Sequence, residues 1–351
     1  MKDKRRWRLT VALLFATLVG MILVSVWMGP ADVQQTLTPG IVLRALAHHI
    51  PGLSSYVRPV QNTPDLIVWQ LRLPRALAGA VIGMLLAMAG VAFQSFLMNP
   101  LADPYMVGVS AGSALGSAVV ILMGGVGWLA GFAQPLAAFL SCLLVMVLIT
   151  RLARFGGRLS AQTFLLAGFV VGTFVYSMTK LAVAMANRSN DTSRAAAILS
   201  QLLGSLETVD WRTVGLLLPF GVFGGALLFF GVRELNIMAM GEESAAHLGV
   251  DTEAFKRRII VAGSLVTAAT VAVAGIIGLV GMVVPHLARR LVGPDHRRLL
   301  PVAMLLGGLV LVTSDWLSRV FLNELEVGVI TSLFGAPVFC YLLRRRLTNL
   351  W

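Results

Sequence analysis

Apolar residues run along this chain in blocks about twenty long, broken by short polar clusters, and that rhythm decides the fold class. A helix that crosses a bilayer needs about 20 mostly apolar residues. Ten blocks reach that length, at about 9–28, 71–97, 105–124, 128–150, 160–186, 213–232, 257–275, 276–292, 299–318 and 327–343. They predict an all-α polytopic membrane protein with ten transmembrane helices, forming one domain over residues 1–351. Short glycine-containing turns near Gly124 and Gly275 divide neighbouring blocks, and an apolar helical stretch near 194–206 is too short to span and is expected at the interface. The first block follows the basic run Met1–Arg8. It exceeds the roughly 7–15 apolar residues of a signal peptide, so it is expected to stay as an uncleaved first span.

Two polar stretches interrupt the rhythm. Residues 30–70 are rich in turn formers, among them Pro39, Pro51, Pro59 and Pro64. Residues 233–256 carry apolar positions at helical spacing with a break at Gly249, which predicts one or two short surface helices. Ten spans return both termini to one side. Of the 28 Lys and Arg residues, 19 fall on the side of the termini and 9 on the other. The positive-inside rule therefore puts both termini and the 233–256 loop in the cytoplasm, and the 30–70 loop outside.

Composition agrees with the pattern. The 351 residues are 57% hydrophobic and 13% charged, against about 25% charged in a soluble domain. A net charge of +12 would point to nucleic acid in a soluble protein. Here the basic residues sit between apolar blocks and set topology, so the bilayer is the expected partner and nucleic acid is not.

The ionisable groups are informative by position. The 16 carboxylates and the five histidines all fall in predicted loops or at span ends. Ion-coupled carriers hold ionisable groups or broken polar helices at membrane depth, where buried charge is retained for function. None of the four lysines follows a glycine-rich phosphate loop. No metal-ligand spacing or nucleophile–base pair appears, so no cofactor and no catalytic residue is expected. If this chain moves a solute uphill, the energy comes from another subunit. An ion-coupled secondary carrier and a structural or receptor-type membrane protein are the rival classes.

Motifs then give a specific likeness. They are Ile67-Val-Trp-Gln-Leu-Arg-Leu-Pro-Arg75, Asn99-Pro-Leu-Ala-Asp-Pro104, Gly108-Val-Ser-Ala-Gly112, Leu165-Leu-Ala-Gly168 and Val209-Asp-Trp211. They continue through Gly241-Glu-Glu-Ser-Ala-Ala-His-Leu-Gly249, Gly278-Leu-Val-Gly-Met-Val-Val-Pro-His286, Gly293-Pro-Asp-His-Arg297 and Gly328-Val-Ile-Thr-Ser-Leu-Phe-Gly-Ala-Pro337. In this order, over about residues 65–345, they resemble the iron-siderophore, cobalamin and haem (FecCD-type) permeases of type II ATP-driven importers. The resemblance implies ten helices per subunit, a homodimer or a pair of similar subunits, two cytoplasmic ABC ATPase subunits and a periplasmic substrate-binding protein, in the inner membrane.

The same resemblance implies roles. Arg72, Arg75 and Arg319 match outer-rim arginines that receive acidic residues of the binding protein, a task suited to a guanidinium that grips a carboxylate with two hydrogen bonds. From the residues alone, these arginines also fit interfacial snorkelling, and Asp315 stands four residues before Arg319, placed to hold it. The 236–250 segment matches the ATPase-coupling loop, with Met238, Met240, Gly241, Ala245, Leu248 and Gly249 as its apolar and turning positions and Glu242 and Glu243 at its rim. An amphipathic helix on the membrane surface is the alternative. Ser160, Ala161 and Gln162 match the cytoplasmic gate region. A path without fixed charge suits a large chelate. An iron(III)-siderophore is expected first as the commonest cargo of the family, with cobalamin or haem as the alternatives.

Overall fold

The computed structural model describes residues 2–29, 37–50, 62–124, 132–156, 158–188 and 192–348. Among them are fourteen α-helices of six residues or more, ten of which match the ten predicted spans one for one. Seven are long and apolar enough to cross a membrane: α1 (Lys2–Trp27), α3 (Leu73–Phe96), α5 (Ala133–Leu152), α6 (Ala161–Arg188), α8 (Trp211–Phe230), α11 (Thr252–Ala274) and α13 (His296–Phe321). Three are shorter or less regular: α4 (Val109–Leu122), α12 (Val280–Val292) and α14 (Val327–Thr348). The other four are α2 (Pro39–His48), α7 (Thr192–Leu203), α9 (Val232–Met238) and α10 (Glu242–His247).

Helix starts follow from local chemistry. Asp210, Asp251 and Asp295 each accept a backbone N–H from the first turn of α8, α11 and α13, satisfying donors that have no partner inside the helix. At α8 this becomes a reciprocal capping box with Thr213. Pro74 sits in the first turn of α3, where its missing N–H costs nothing. The stretch 30–70, expected as turns, holds the ten-residue α2, capped by Thr38, and a further helical run through 62–72. Its parts 30–36 and 51–61 lie outside the described residues.

The core is built around α3, which is almost wholly enclosed by α1, α8, α11, α12 and α13. Two glycine contacts set how close its neighbours come. A Cβ on Gly83 would stand 2.2 Å from the carbonyl oxygen of Gly307 in α13, and one on Gly90 would meet Gly281 of α12 at 1.8 Å. Small residues at such crossings let backbones touch where lipid supplies no hydrophobic drive.

Two ends of the bundle are distinguishable. The terminal end holds the chain start, where the Trp7 indole donates to the Arg298 carbonyl, together with α9 and α10. The far end holds the last turn of α1, the start of α3 and the last turns of α13. The break expected near Gly275 is longer than a turn. Residues 275–279 are non-helical, and α12 begins only at Val280, two-thirds of the way along its neighbour α3 at Gly90. A spanning segment thus consists of an extended piece followed by a half-helix.

Candidate functional site

At the far end, Asp315 gathers the predicted arginines. Arg75 Nε lies 2.8 Å from Asp315 Oδ1 and Arg319 Nε 3.0 Å from Asp315 Oδ2, with Arg75 also 3.7 Å from Glu324. Arg72 donates to the carbonyls of Val26 and Trp27 at 3.1 and 2.6 Å, and Arg319 donates to the Ser25 carbonyl at 3.0 Å. These carbonyls end α1, so two guanidiniums cap its C-terminus and answer its negative dipole end. Gly29 leaves room for the Arg72 guanidinium. The three arginines expected to receive the binding protein are buried in this chain: Arg72, Arg75 and Arg319 are 5%, 8% and 4% exposed and are engaged within it. Desolvation explains it, because a buried guanidinium is tolerated only when paired. The Asp315–Arg319 spacing in the sequence did signal this arrangement.

At the terminal end, the polar loop forms two short helices, α9 and α10, separated by Gly241 at φ +106°, a conformation that side-chain-bearing residues rarely adopt. Gly249 ends α10 at φ +81°. The residues expected to form one apolar docking face divide. Met238 and Ala245 are buried against the bundle, whereas Met240 and Leu248 are 68% and 61% exposed, with Glu243 beside them.

Glu242 is tied down. The buried Lys256 ammonium donates to Glu242 at 2.6 Å, to Glu253 at 2.9 Å and to the Leu159 carbonyl at 2.9 Å, while Glu253 accepts the Leu159 N–H at 3.2 Å. Leu159 ends a two-stranded turn, Arg154–Phe155 paired with Arg158–Leu159, which leads directly into Ser160, Ala161 and Gln162 at the head of α6. One ammonium therefore joins α10, α11 and the entry to α6. Sequence reading missed Lys256; Glu253, three residues before it and one turn back on α11, was the available signal.

A second link runs from α9. Asn236 donates to Asp295 at 2.8 Å and accepts the His296 N–H at 2.9 Å, and His296 Nε2 meets Ser95 of α3 at 2.7 Å. Partial desolvation would raise the Asp295 carboxyl, but the Arg297 N–H and the Asn236 amide hold it below the usual range.

Between the ends, Asp103 stands in a loop, the connection between α3 and α4, as expected, but that loop is buried. It is 4% exposed, accepts the Tyr105 N–H at 2.9 Å and faces the N–H of Leu279 at the head of half-helix α12. A carboxylate and a broken helix thus lie inside the bundle, and the argument against ion coupling loses that support.

The exposed faces of the long helices differ in kind. On α5 the exposed positions Leu136, Leu140, Leu144, Val147 and Leu148 are all aliphatic. On α6 the exposed face mixes Leu166, Phe169 and Phe174 with Gln162, Thr163, Thr173, Ser177 and Lys180.

Comparison with known proteins decides the family. The model of the FecCD transport family matches residues 11–345. The chain belongs to the FecCD transport family. Among its relatives, a cobalamin import system permease of Halobacterium salinarum is 38% identical over 94% of both chains. A hemin transport system permease of Yersinia pestis is 36% identical over 87% of this chain and 93% of the relative. A solved structure described as a metal-chelate-type ABC transporter in an inward-facing conformation aligns with TM-score 0.78 and 26% identity, over 96% of this chain and 99% of that one. This FecCD protein is therefore a membrane-spanning, non-catalytic permease subunit of an ABC importer, a family that works with ATPase and substrate-binding subunits.

Proposed function

We propose that this FecCD permease moves a metal–macrocycle chelate, cobalamin first and haem second, from a periplasmic binding protein to the cytoplasm. The observation that carries a translocation role for α6 is its exposed face: past Arg212 α8 exposes only apolar residues, and so does α5 before Arg151, while α6 exposes Thr173, Ser177 and Lys180 well inside its length. Such a surface suits a large amphiphilic solute that slides past without being held. The names of the relatives favour cobalamin and hemin over the ferric siderophore expected from family frequency.

Two copies facing each other across α6 would enclose the path, with both termini in the cytoplasm as the basic residues direct. The terminal end then meets two ATPase subunits through Met240, Glu243 and Leu248, over a base formed by Met238, Ala245 and the Lys256 junction. The far end receives the binding protein. Arg72, Arg75 and Arg319 form the clasp beneath that surface, and direct docking by them would require their release from Asp315 and α1. Ser160, Ala161 and Gln162 stand at the inner mouth.

The test is ATP-dependent uptake into proteoliposomes holding the permease with its ATPase and binding protein. Labelled cobalamin, hemin and a ferric siderophore are compared, and cobalamin uptake is expected to dominate. Uptake of the ferric siderophore alone would reject the macrocycle assignment, and uptake without the ATPase would reject the energy source.

A further inference from the structure

At the far end, a cavity of about 430 Å³ opens between α4, α5, α7, α8 and α11. Its polar wall carries Gln134, Gln201, Asp210, Arg212 and Thr213. Below it an almost wholly apolar groove of about 270 Å³ runs between α5, α8 and α11 to Phe139 and Phe220, whose rings pack 4.5 Å apart. The two share Phe132, Pro135, Leu216, Ala272 and Val273, so they form one cleft, polar above and apolar below.

The level of the polar part is marked independently. Arg212 and Gln134 stand in the first turns of α8 and α5, and Trp211 beside Arg212 donates to the Trp69 carbonyl and packs on the Trp69 ring. Tryptophan pairs of this kind concentrate at the headgroup layer. The groove descends from there along α5 and α8, whose exposed side chains beyond Arg212 and as far as Leu148 are apolar, roughly 12 Å from Arg212 to Phe220 at 1.5 Å per residue. A polar head at the interface with an apolar tail directed along the acyl region is the shape of a membrane lipid.

Charge selects among lipids. The Arg212 guanidinium is committed to no ion pair among the described residues and is exposed. Asp210 stands two residues away as the α8 cap. Partial desolvation would raise its carboxyl, yet hydrogen bonds from Thr213 and the nearby Arg212 charge keep it below the usual range, so it remains ionised. An anionic headgroup would meet the carboxylate as well as the guanidinium. A zwitterionic headgroup satisfies both.

We propose that this cleft binds one glycerophospholipid with a primary-amine headgroup, its phosphate on Arg212, its ammonium on Asp210 and an acyl chain in the Phe139–Phe220 groove.

The full chain in mild detergent, titrated with phosphatidylethanolamine, phosphatidylglycerol and phosphatidylcholine and read by native mass spectrometry, tests this. One phosphatidylethanolamine adduct is expected at severalfold higher occupancy than either competitor. Arg212→Gln should lower that adduct about tenfold. Asp210→Asn, which preserves a cap acceptor, should leave total lipid binding but erase the preference for the amine. Unchanged melting temperatures show that both variants fold. Equal adducts in Arg212→Gln and the parent, a preference for phosphatidylglycerol, or equal competition by glycerophosphoethanolamine, which lacks chains, would each overturn the proposal. So would a lipid-free dimer that buries the cleft between two copies.

Discussion

Replacing Lys256 with methionine removes the ammonium while leaving the aliphatic stem that packs in the first turns of α11. Three acceptors lose their donor: the Leu159 carbonyl, Glu242 and Glu253. Hydrogen bonds to a charged group contribute about 1.5–3 kcal/mol. The two carboxylates retain 45% and 28% exposure and regain water, so the bonds to them fall below that range, to about 0–0.5 kcal/mol each, and the buried Leu159 carbonyl carries about 1.5 kcal/mol. The bond to Glu253 lies within α11. The bonds to Glu242 and to Leu159 are the ones that hold α10 and the Arg154–Leu159 turn in place. Their joint loss is worth about 1.5–2 kcal/mol, and 1.4 kcal/mol is a factor of ten in a local opening equilibrium. Amide hydrogen exchange at residues 158–163 and 242–248 should accelerate roughly tenfold, while the centre of α3 is unaffected. In the assembled importer, ATP hydrolysis should continue while uptake falls, because the motion of α10 no longer reaches the head of α6. Exchange at 158–163 identical to the parent would refute the reasoning; Glu243→Gln, at an exposed position, serves as the control for exchange alone.

Asp315→Asn leaves the buried Arg319 without its paired carboxylate and Arg75 with only the longer contact to Glu324, and breaking such a cluster costs about 3–5 kcal/mol; a loss under about 1 kcal/mol in detergent unfolding would show that the clasp is not a stability element. Gly83→Ala drives a methyl into the Gly307 carbonyl and should destabilise by about 1–3 kcal/mol, whereas Gly20→Ala, which meets open space, should be neutral in the same melt. Ser177→Trp on the mixed face of α6 should cut chelate uptake severalfold with the fold intact; Leu144→Trp on the aliphatic face of α5 should leave uptake unchanged, and equal effects would remove the case for α6 as the path wall.

Apolar block length made all ten spans legible, because the bilayer sets that length and little else competes with it. The short helices of the 233–256 loop were legible in part, since Gly249 read as a break in a helical pattern, whereas Gly241, which separates α9 from α10, did not. Burial was harder to read. A basic residue at a span end is equally placed to snorkel, to face a partner or to fold back on its own chain. Only three-dimensional proximity shows that the carbonyls of Val26 and Trp27 were waiting for Arg72. Asp103 is a loop carboxylate, as read, and only its burial was illegible, for a similar reason. Its partner, the head of α12, is far away in sequence, and a helix that begins part-way through a span has the same composition as one that begins at its end. Lys256 sat unnoticed among the first residues of a span because single-sequence charge counting assigns a side of the membrane and no contacts.

The guanidinium caps on α1 also bear on how the polypeptide matures. Trp7 rests on a carbonyl 291 residues later, Ser25 receives an arginine 294 residues later, and Val26 one only 46 residues on. The segment made first is thus secured last: Arg72 can hold its end early, but the remaining stitches wait until α13 has been synthesised. Until then Arg75 lacks the Asp315 carboxylate and the Ser25 carbonyl lacks its donor, and a chain truncated before residue 296 would keep a loosely tethered leading helix open to proteases.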